Sequence, residues 1–208
     1  MTDISEPYAA PPAPGPPGPH GHGLRLRLWD PASETDVDAW LRGRTDPEFR
    51  RWNTPLRAVT DRESARASLR DKAAEREAGT SVTFCVTDAA DATILGEITV
   101  NAISRVERSC NIGFGVLPEA RGRQVATRAL LLVTRWAVDE LGLHRLELGH
   151  ALGHEASCRI AERCGFRYEG TLRGAMLEQG GTDAFRDVHR HARLATDPEP
   201  RPWETLRG

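Results

Sequence analysis

The sequence predicts an α+β fold around one mixed β-sheet, and three observations support this prediction. Several short runs alternate apolar and polar residues, the period of two that is typical of half-buried strands. Other segments carry apolar residues at i, i+3 and i+4, the spacing of a helix that packs on a sheet. A single helix separates the strand ending at Leu117 from the strand beginning at His144. These two strands are therefore expected to be parallel neighbours, because such a crossover connects parallel strands.

The composition indicates a single globular domain in the cytoplasm. The chain has 208 residues, of which 39% are hydrophobic and 28% charged, as in ordinary soluble domains. A formal net charge of −2 gives no general attraction to nucleic acid. No apolar run approaches the ~20 residues that a membrane span needs. The four cysteines lack Cys-x-x-Cys spacing, which suits a reduced cytosol better than a disulfide framework.

Both ends of the chain are predicted to lie outside the domain. Residues 1–23 contain seven of the fourteen prolines, interleaved with glycine and alanine. Such a segment cannot bury enough apolar surface to offset its ordering entropy, so we expect a disordered tail. The domain is predicted to span residues 24–196, and residues 197–208 are predicted to form a second tail.

The first half of the domain is predicted to contain one strand, two helices and three further strands. The strand begins at Leu24 with "LRLRLW", and a helix follows a cap at Ser33 and continues until Pro55 breaks its pattern. A second, amphipathic helix begins at a cap formed by Thr60 or Asp61 and ends at Gly79. The three strands are expected at residues 81–88, 93–103 and 109–117.

The second half is predicted to alternate helices and strands. A long helix begins near Arg123, and its apolar residues keep helical spacing until Gly142. A strand over residues 144–152 follows, and then a short helix over residues 154–164 that Gly165 ends. The last two strands are expected at residues 166–177 and 185–194.

The segment "ARGRQVATRAL", Ala120–Leu130, has the features of an anion site. A strand, a tight turn at Gly122 and a helix start together expose unpaired N–H groups, and the helix dipole adds partial positive charge. Arg121 and Arg123 add full charges. A P-loop is excluded because the segment has no lysine, and Pro118 stands where a dinucleotide fingerprint requires glycine. A phosphate or pyrophosphate site is therefore predicted, with a solvated arginine-rich turn as the alternative.

The stretch "VLPEARGRQVATRALLLVTRWAVDELGLHRLEL", followed by "HEASCRIAERCGFRYEGTLRGAM", resembles the GNAT N-acetyltransferase superfamily. The likeness extends over residues 24–195 and is greatest to the branch of ribosomal-protein N-terminal (alanine/serine) acetyltransferases and their small-molecule relatives. Arg121 and Ala126 match the family motif Arg/Gln-x-x-Gly-x-Gly/Ala, with Gln124 in place of the middle glycine. The family's Asn-x-x-Ser corresponds to His154–Ser157, with histidine in place of asparagine.

This resemblance implies a three-layer fold, in which helices cover both faces of a mostly antiparallel sheet with one splayed parallel strand pair. It also implies acetyl-CoA as co-substrate, with the pantetheine arm between the splayed strands and the pyrophosphate at the helix start. The residues implied in cofactor binding lie on the strand end, the turn and two helix starts: Phe114, Val116, Leu117, Arg121, Gly122, Arg123, Gln124, Val125, Ala126, Thr127, His154 and Ser157.

Acetyl transfer to an amine needs a neutral amine, a polarised thioester carbonyl and a proton for the departing thiolate. By resemblance, Ser157 is a candidate general acid, and a locally satisfied helix-start serine is the alternative. Related enzymes often have a carboxylate on the strand that carries Asn111 here. The Asn111 amide cannot take a proton, so Glu97 on the preceding strand remains a candidate general base, with a solvated carboxylate on the strand face as the alternative. His154 is expected either to act as a base or to cap its helix.

The acceptor is expected to be a primary amine, either a protein N-terminal α-amine or an amine of a small molecule. Its surface is predicted around Trp52–Pro55 and residues 173–186. Three arginines near these segments hint at an anionic acceptor: Arg50, Arg51 and Arg173. No metal is predicted, because His189 and His191 share a strand face but no third ligand has metal spacing.

Two other functions stay open at this point. One is a non-catalytic acyl-CoA-binding module that regulates a partner, and the other is an acyltransferase that uses a longer acyl-CoA such as succinyl-CoA. Neither nucleic acid nor a membrane is an expected partner, and a homodimer is left open. Gln124 is expected to lie in the first helical turn with ordinary backbone angles, where glutamine is tolerated.

Overall fold

A computed structural model describes residues 18–54, 57–178 and 183–200. The predicted tail over residues 1–17, most of the C-terminal tail over 201–208, and Pro55 lie outside the described residues. The strands are β1 (His20–Gly21), β2 (Leu24–Leu28), β3 (Val82–Asp88), β4 (Ile94–Ser104), β5 (Ser109–Val116), β6 (Arg145–Ala151), β7 (Arg167–Leu177) and β8 (Phe185–Leu194). The helices are α1 (Glu34–Thr45), α2 (Pro47–Trp52), α3 (Arg62–Glu77), α4 (Val125–Asp139) and α5 (Glu155–Arg163).

The strands form one sheet in the order β1-β2-β3-β4-β5-β6-β8-β7. Every neighbouring pair is antiparallel except β5 and β6, which are parallel, as the single crossover helix α4 predicts. The β5–β6 register covers only Ser109–Asn111 opposite Arg145–Glu147. Both strands continue beyond these pairs, so they separate from one another toward their carboxyl ends. The predicted mixed sheet with one splayed parallel pair is confirmed.

Helices cover both faces of the sheet because successive strand residues point to opposite sides. On β3, Phe84 packs with α4 and makes an edge-to-face contact with Trp136, with ring centroids 5.0 Å apart. The next residue, Cys85, packs with Ala39 of α1 on the opposite face. Fully burying one large apolar side chain contributes roughly 1.5–3 kcal/mol, so these two layers supply most of the driving force for folding.

The predicted first helix is two helices in the structure. Ser33 caps α1 as predicted, with its side chain accepting from the Asp36 N–H. The chain then leaves the helical region at Asp46, whose ψ is 128°, and restarts as α2 with Pro47 in its first turn. Proline lacks an N–H and disfavours helical angles in the residue before it, so Pro47 sets the break, not Pro55. The Asp46 carboxylate then caps α2 by accepting from the Phe49 N–H at 2.8 Å.

The N-terminal boundary also differs from the prediction. His20 and Gly21, placed by sequence in the tail, form β1 and pair with Arg25 and Leu24 of β2. The backbone N–H of Leu26 also donates to the Pro19 carbonyl at 2.8 Å. Regular structure therefore begins before Leu24. In the described part of the chain, no helix has both the length and the apolar character that a membrane crossing requires.

Candidate active site

The splay between β5 and β6 opens into a cavity of about 400 Å³. Four parts of the fold form its walls: the ends of β4 and β5, the helices α1 and α2, the start of α4 and the start of α5. Aromatic side chains supply much of its apolar surface: Trp29, Trp40, Phe49, Trp52 and Phe114. The cavity lies where β5 and β6 separate and the backbone groups of β5 lose their partners on β6.

The outer edge of β5 is exposed to this cavity. Because β6 pairs with β5 only as far as Asn111, residues 112–116 have no partner on that edge in the recorded register. Their inner edge is held by β4, where Val116 pairs with Gly96. A Cβ on Gly96 would lie 2.2 Å from the Gly115 carbonyl oxygen, so only glycine allows this close approach. The strand end can thus offer backbone N–H and C=O groups to an extended amide ligand.

Gln124 adopts a left-handed backbone conformation at the start of α4, with φ 54° and ψ 28°. The expectation of ordinary helical angles at this position is wrong. The tight turn at Gly122, with φ 74°, lies two residues before it, and the helix begins only at Val125. A left-handed angle costs a residue with a Cβ roughly 1–2 kcal/mol, which explains why glycine suits this position. The glutamine therefore keeps a backbone shape that glycine would adopt without strain.

The start of α4 carries no side-chain cap and no acidic residue in its first turn. Among the described residues, the N–H groups of Val125, Ala126 and Thr127 have no backbone partner, and the first helical bond runs from Arg128 to Gln124. Unpaired N–H groups at a helix start, together with the helix dipole, form an anion site. The predicted anion-binding geometry is present at residues 125–127.

The two arginines of the turn are held by carboxylates. Arg121 forms an ion pair with Asp46 and a second one with Glu48, at 3.1 Å between Nη1 and Oε2. Burial alone would raise the pKa of Asp46. Hydrogen bonds from Arg121 and from backbone N–H groups outweigh this effect, so the pKa lies below its usual value. Arg123 pairs with Asp88 at 3.5 Å and does not line the cavity. Arg121 thus joins α2 to the turn, and the free N–H groups carry most of the local capacity for anion binding.

The residues at the start of α4 fit a pyrophosphate group. Ala126 is small and lines the cavity, so it leaves space above the free N–H groups. The Gln124 side-chain Oε1 is buried in the same wall and has no hydrogen-bond partner among the described residues. Oxygen and nitrogen of an amide exchange by rotation, and the rotated amide would present an N–H₂ donor at this point. In that rotated form the glutamine would add a side-chain donor to the backbone donors.

Ser157 and His154 form a hydrogen-bonded pair at the start of α5. The Ser157 Oγ lies 3.0 Å from the His154 Nδ1, and Ser157 is 5% exposed. The His154 ring stacks on Trp52 of α2, with centroids 4.5 Å apart and planes at 6°. The pKa of His154 is lowered to about 4, mainly by burial and also by the nearby His150 and Arg186. The imidazole is therefore neutral near pH 7, and it contacts Ser157 where a helix cap would contact backbone.

Glu97 lies in the cavity wall and pairs with Arg44 of α1. The two side chains meet through two contacts, 2.5 Å between Nη1 and Oε1 and 2.7 Å between Nη2 and Oε2. Both side chains are largely buried, with 16% and 13% of their surfaces exposed. The Arg44 guanidinium also lies 3.9 Å from the centroid of the Trp40 ring. This geometry fixes the position of the carboxylate against Arg44.

Asn111 is the last residue of β5 that pairs with β6. Its Oδ1 accepts from the Arg190 Nη1 at 2.8 Å, and the same guanidinium pairs with Glu147 of β6 at 2.7 Å. The three side chains thus bridge β5, β6 and β8 at the point where the first two strands separate. Asn111 acts here as a structural acceptor at the closed end of the splay.

The predicted acceptor surface borders the cavity at α2. Trp52 lines the cavity, and the hydroxyl of Thr54 donates to the Leu177 carbonyl at the end of β7. The Arg51 guanidinium lies 5.0 Å from the centroid of the Trp52 ring, and its carbonyl accepts from Arg186 at 2.8 Å. Residues 179–182, which belong to the same predicted surface, lie outside the described residues.

The structure gathers nearly all predicted site residues around this one cavity. All of the predicted cofactor residues except Arg123 line it, and so does Glu97. The partners Arg44, Asp46 and Trp52 complete the site, but only the last of them was predicted near it. Helix α1 positions Arg44, and no sequence motif marks that arginine. The binding and catalytic roles of these residues stay predictions.

Comparison with known proteins places the fold in a family. A family model described as "Acetyltransferase (GNAT) domain" matches residues 24–167, which is more than half of the chain. Two proteins of Bacillus subtilis (strain 168) share segments of the sequence. YdaF, named as a ribosomal N-acetyltransferase, is 31% identical over 90 residues, which are 43% of this chain and 49% of YdaF. YoaA, named as an uncharacterized N-acetyltransferase, is 30% identical over 87 residues, 42% of this chain and 49% of YoaA. The chain therefore matches about half the length of these curated relatives.

Solved structures agree over a larger share of the chain. Mycobacterium smegmatis RimJ in complex with a CoA disulfide is 25% identical with a TM-score of 0.73, and the match covers 83% of this chain and 82% of that one. RimL, a ribosomal L7/L12 alpha-N-protein acetyltransferase in complex with coenzyme A, is 19% identical with a TM-score of 0.74, covering 84% and 95%. The matched family model, the splayed sheet and the open start of α4 agree, and the chain belongs to the GNAT acetyltransferase family.

Proposed function

We propose that this protein is an acetyl-CoA-dependent N-acetyltransferase that moves an acetyl group to a primary amine by direct attack in a ternary complex. One observation carries the proposal. A single cavity joins the unpaired edge of β5, the free N–H groups at the start of α4 and the Ser157 hydroxyl. These are the groups needed to bind an extended amide chain, a pyrophosphate and a leaving thiolate.

The start of α4 would hold the pyrophosphate through the N–H groups of residues 125–127. Hydrogen bonds to a charged group are worth roughly 1.5–3 kcal/mol each, so three of them suffice to anchor a ligand. The unpaired edge near Val116 would hold the pantetheine amides and direct a backbone N–H at the thioester carbonyl. Bound acetyl-CoA supplies the activated acetyl group, and the protein's residues orient it and exclude water.

Ser157 would supply a proton to the departing sulfur. Its hydroxyl is buried beside a neutral imidazole, and His154 either accepts from Ser157 or donates to it, depending on which nitrogen is protonated. The step requires the tautomer in which His154 Nδ1–H donates to Ser157, because the serine proton can then point to the sulfur. The proton that the attacking amine loses on acetylation returns the serine to its neutral form. General acid catalysis of this kind is typically worth 10²–10⁴-fold in rate.

The acceptor in this proposal is an amine that already carries little charge. An α-amine with a pKa of about 7.8 is roughly one-third neutral at pH 7.5, whereas lysine is only ~0.1% neutral, a difference of ~3 kcal/mol. Because Arg44 holds the Glu97 carboxylate in a buried pair, Glu97 is poorly placed to supply this deprotonation. A protein N-terminus or a low-pKa small-molecule amine is therefore favoured over unperturbed lysine. RimL, whose name gives a protein α-amine as its acceptor, supports the N-terminal option.

The proposal includes a cytoplasmic setting, where acetyl-CoA and free thiols coexist. All four cysteines of the chain are free thiols in the structure. Burial raises the pKa of the Cys110 and Cys164 thiols to about 12, so these two are unreactive near neutral pH. Reduced cysteines without disulfides are typical of that compartment.

Calorimetry with CoA, combined with a thiol-release assay, tests the function. We expect CoA to bind and to raise the thermal midpoint. At a hundredfold excess over its Kd, CoA should increase the free energy of unfolding by about 2.7 kcal/mol. The assay panel is a set of N-terminal peptides, a polyamine and an N-terminally blocked lysine peptide, each offered with acetyl-CoA and with succinyl-CoA. Thiol release that depends on an amine with a free α-amino group supports the proposal. CoA binding without acceptor-dependent release indicates a regulatory module, and a preference for succinyl-CoA indicates the longer acyl donor.

A further inference from the structure

A cluster of three histidines and one cysteine lies behind α5, outside the residues that line the cavity. One ligand atom from each of His150, Cys158, His189 and His191 lies within 4.8 Å of all the others. His150 and His191 are 6% and 0% exposed, and the other two are partly buried. The side chains contact one another through the His150 Nε2–His191 Nε2 and Cys158 Sγ–His191 Nε2 pairs, so their polar atoms face a common point.

The sheet register explains why these residues meet. His150 of β6 lies directly opposite His189 of β8, and His191 follows two residues later on the same face of β8. Cys158 on α5 reaches the same point from above the sheet, with its Sγ 3.5 Å from the His191 Nε2. Three elements thus contribute ligands, so sequence spacing alone could not reveal the cluster.

A backbone contact fixes which nitrogen of His150 is available to a cation. The His150 Nδ1 lies 3.1 Å from the Ala151 carbonyl oxygen, which can only accept, so Nδ1 carries the proton. Its Nε2 is then a free lone pair, and it lies 3.3 Å from the His191 Nε2. The Cys158 thiol, whose Sγ contacts the Glu162 carboxylate, would release its proton on binding a cation. A backbone carbonyl that fixes the second nitrogen is the usual support of a metal-binding histidine.

We propose that His150, Cys158, His189 and His191 form a structural Zn²⁺ site that fastens α5 to β6 and β8. Two spacings, 3.3 Å between the His150 and His191 Nε2 atoms and 3.5 Å between the Cys158 Sγ and the His191 Nε2, are close to the edges of a tetrahedral zinc site, and all four ligand atoms lie within 4.8 Å of one another. Bond lengths of ~2.05 Å to nitrogen and ~2.3 Å to sulfur give edges of ~3.4 Å and ~3.6 Å.

The ligand chemistry selects zinc over harder cations. One thiolate with three imidazoles is a soft to intermediate donor set, and tetrahedral nitrogen–sulfur coordination is typical of zinc. Four protein ligands leave no open position, so the site is structural and not catalytic. The Glu162 carboxylate lies 3.8 Å from the Cys158 Sγ, where it would offset the remaining positive charge. The inference does not depend on the proposed transferase function.

Metal titration of the full-length chain tests the site. Protein stripped with a chelator is titrated with Zn²⁺ in competition with a chromophoric chelator, without CoA present. We expect one equivalent to bind with a submicromolar Kd and to raise the thermal midpoint. Co²⁺ in place of Zn²⁺ should give a thiolate-to-cobalt charge-transfer band and the visible bands of tetrahedral coordination.

Two cysteine variants of α5 and its end separate a specific site from surface binding. Cys158→Ser should abolish the charge-transfer band and weaken Zn²⁺ binding by at least about 100-fold, whereas the matched control Cys164→Ser should keep both. The titration of wild-type protein decides the question even if a variant does not fold. Failure to take up one equivalent, or a cobalt spectrum without thiolate charge transfer, would overturn the proposal.

Discussion

The two helix starts that border the cavity are built in opposite ways. The first turn of α4 contains no acidic residue and no side-chain cap, and its N–H groups are free. The first turn of α5 contains Glu155, and its Ser157 N–H already donates to the His154 carbonyl at 3.1 Å. The first start offers backbone to a ligand, whereas the second offers a side-chain pair. Each differs from the family motif at one residue. Gln124 leaves the backbone N–H groups of α4 uncapped, and His154 forms the side-chain pair with Ser157 at the start of α5.

The largest expected effect comes from placing an aspartate at the second residue of α4 and, for comparison, at the second residue of α5. Ala126→Asp should weaken CoA binding by about 1000-fold, because one carboxylate about 4 Å from a phosphate costs ~4 kcal/mol near a protein surface. The matched Ala156→Asp on α5 should cost less than about tenfold. The helix dipole favours an acidic residue at a helix start, and Ala156 is exposed, so Ala156→Asp should keep its thermal midpoint. Ala126 is buried, so Ala126→Asp is expected to lower the midpoint, and CoA binding is measured at a temperature where the variant is folded. Calorimetry with CoA measures both; equal losses would mean that the two helix starts bind the cofactor alike.

The second test removes the side-chain pair of α5. Ser157→Ala should lower kcat by about 100-fold, because it deletes the proposed proton donor. CoA affinity should stay nearly unchanged, since the α4 start is intact. Single-turnover kinetics under conditions where chemistry limits the rate, with calorimetry as the control, measure both quantities. Unchanged chemistry would leave Ser157 with a structural role only.

A smaller effect is expected on the opposite wall. Glu97→Gln should lower kcat by no more than about tenfold, because the amide oxygen still accepts from Arg44 and the carboxylate is already neutralised by that pair. Steady-state kinetics with an α-amine acceptor measure the change. A fall of more than about 100-fold, with the fold intact by circular dichroism, would instead establish Glu97 as the general base.

The smallest effect is expected at Gln124. Gln124→Gly should raise the free energy of unfolding by about 1 kcal/mol, because it relieves a left-handed angle at φ 54°. CoA affinity should change by less than about tenfold, or ~1.4 kcal/mol. The control Gln124→Ala removes the amide but keeps the Cβ, so it separates backbone strain from the side chain. If wild-type protein fails to bind CoA and the glycine variant binds it, the glutamine closes the site.

Local signals in the sequence were sufficient for most of the fold. The cap at Ser33, the cap at Asp61 and the parallel strand pair joined by one helix all follow from the sequence pattern, and each is present. The break at Asp46 also follows from a short-range rule, the effect of Pro47 on its predecessor, but helical spacing over the whole segment concealed it. Short-range chemistry therefore determined the elements, and the error lay in which proline ends the helix.

Contacts between distant segments account for what the sequence did not reveal. The ion-pair partner of Glu97 is Arg44, which lies 53 residues away, and no sequence spacing connects the two residues. The left-handed angle at Gln124 depends on how the turn joins β5 to α4, whereas helix propensity describes only a residue inside a helix. The histidine–cysteine cluster requires the β6–β8 register, which the chain order does not specify. The sequence therefore shows which side chains are present, but it does not show which distant side chain each of them contacts.

The hydrogen bond from Thr54 to Leu177 makes the acceptor side of the cavity a composite of two segments 123 residues apart. Helix α2 also contacts the proposed cofactor half, because Arg121 of the turn pairs with Asp46 and Glu48, and Trp52 stacks on His154. If α2 and the end of β7 form the acceptor wall, as proposed, a substitution on α2 is expected to change how both the amine and the acyl donor are held. Laboratory evolution toward a new amine should therefore measure acyl-donor affinity at each step.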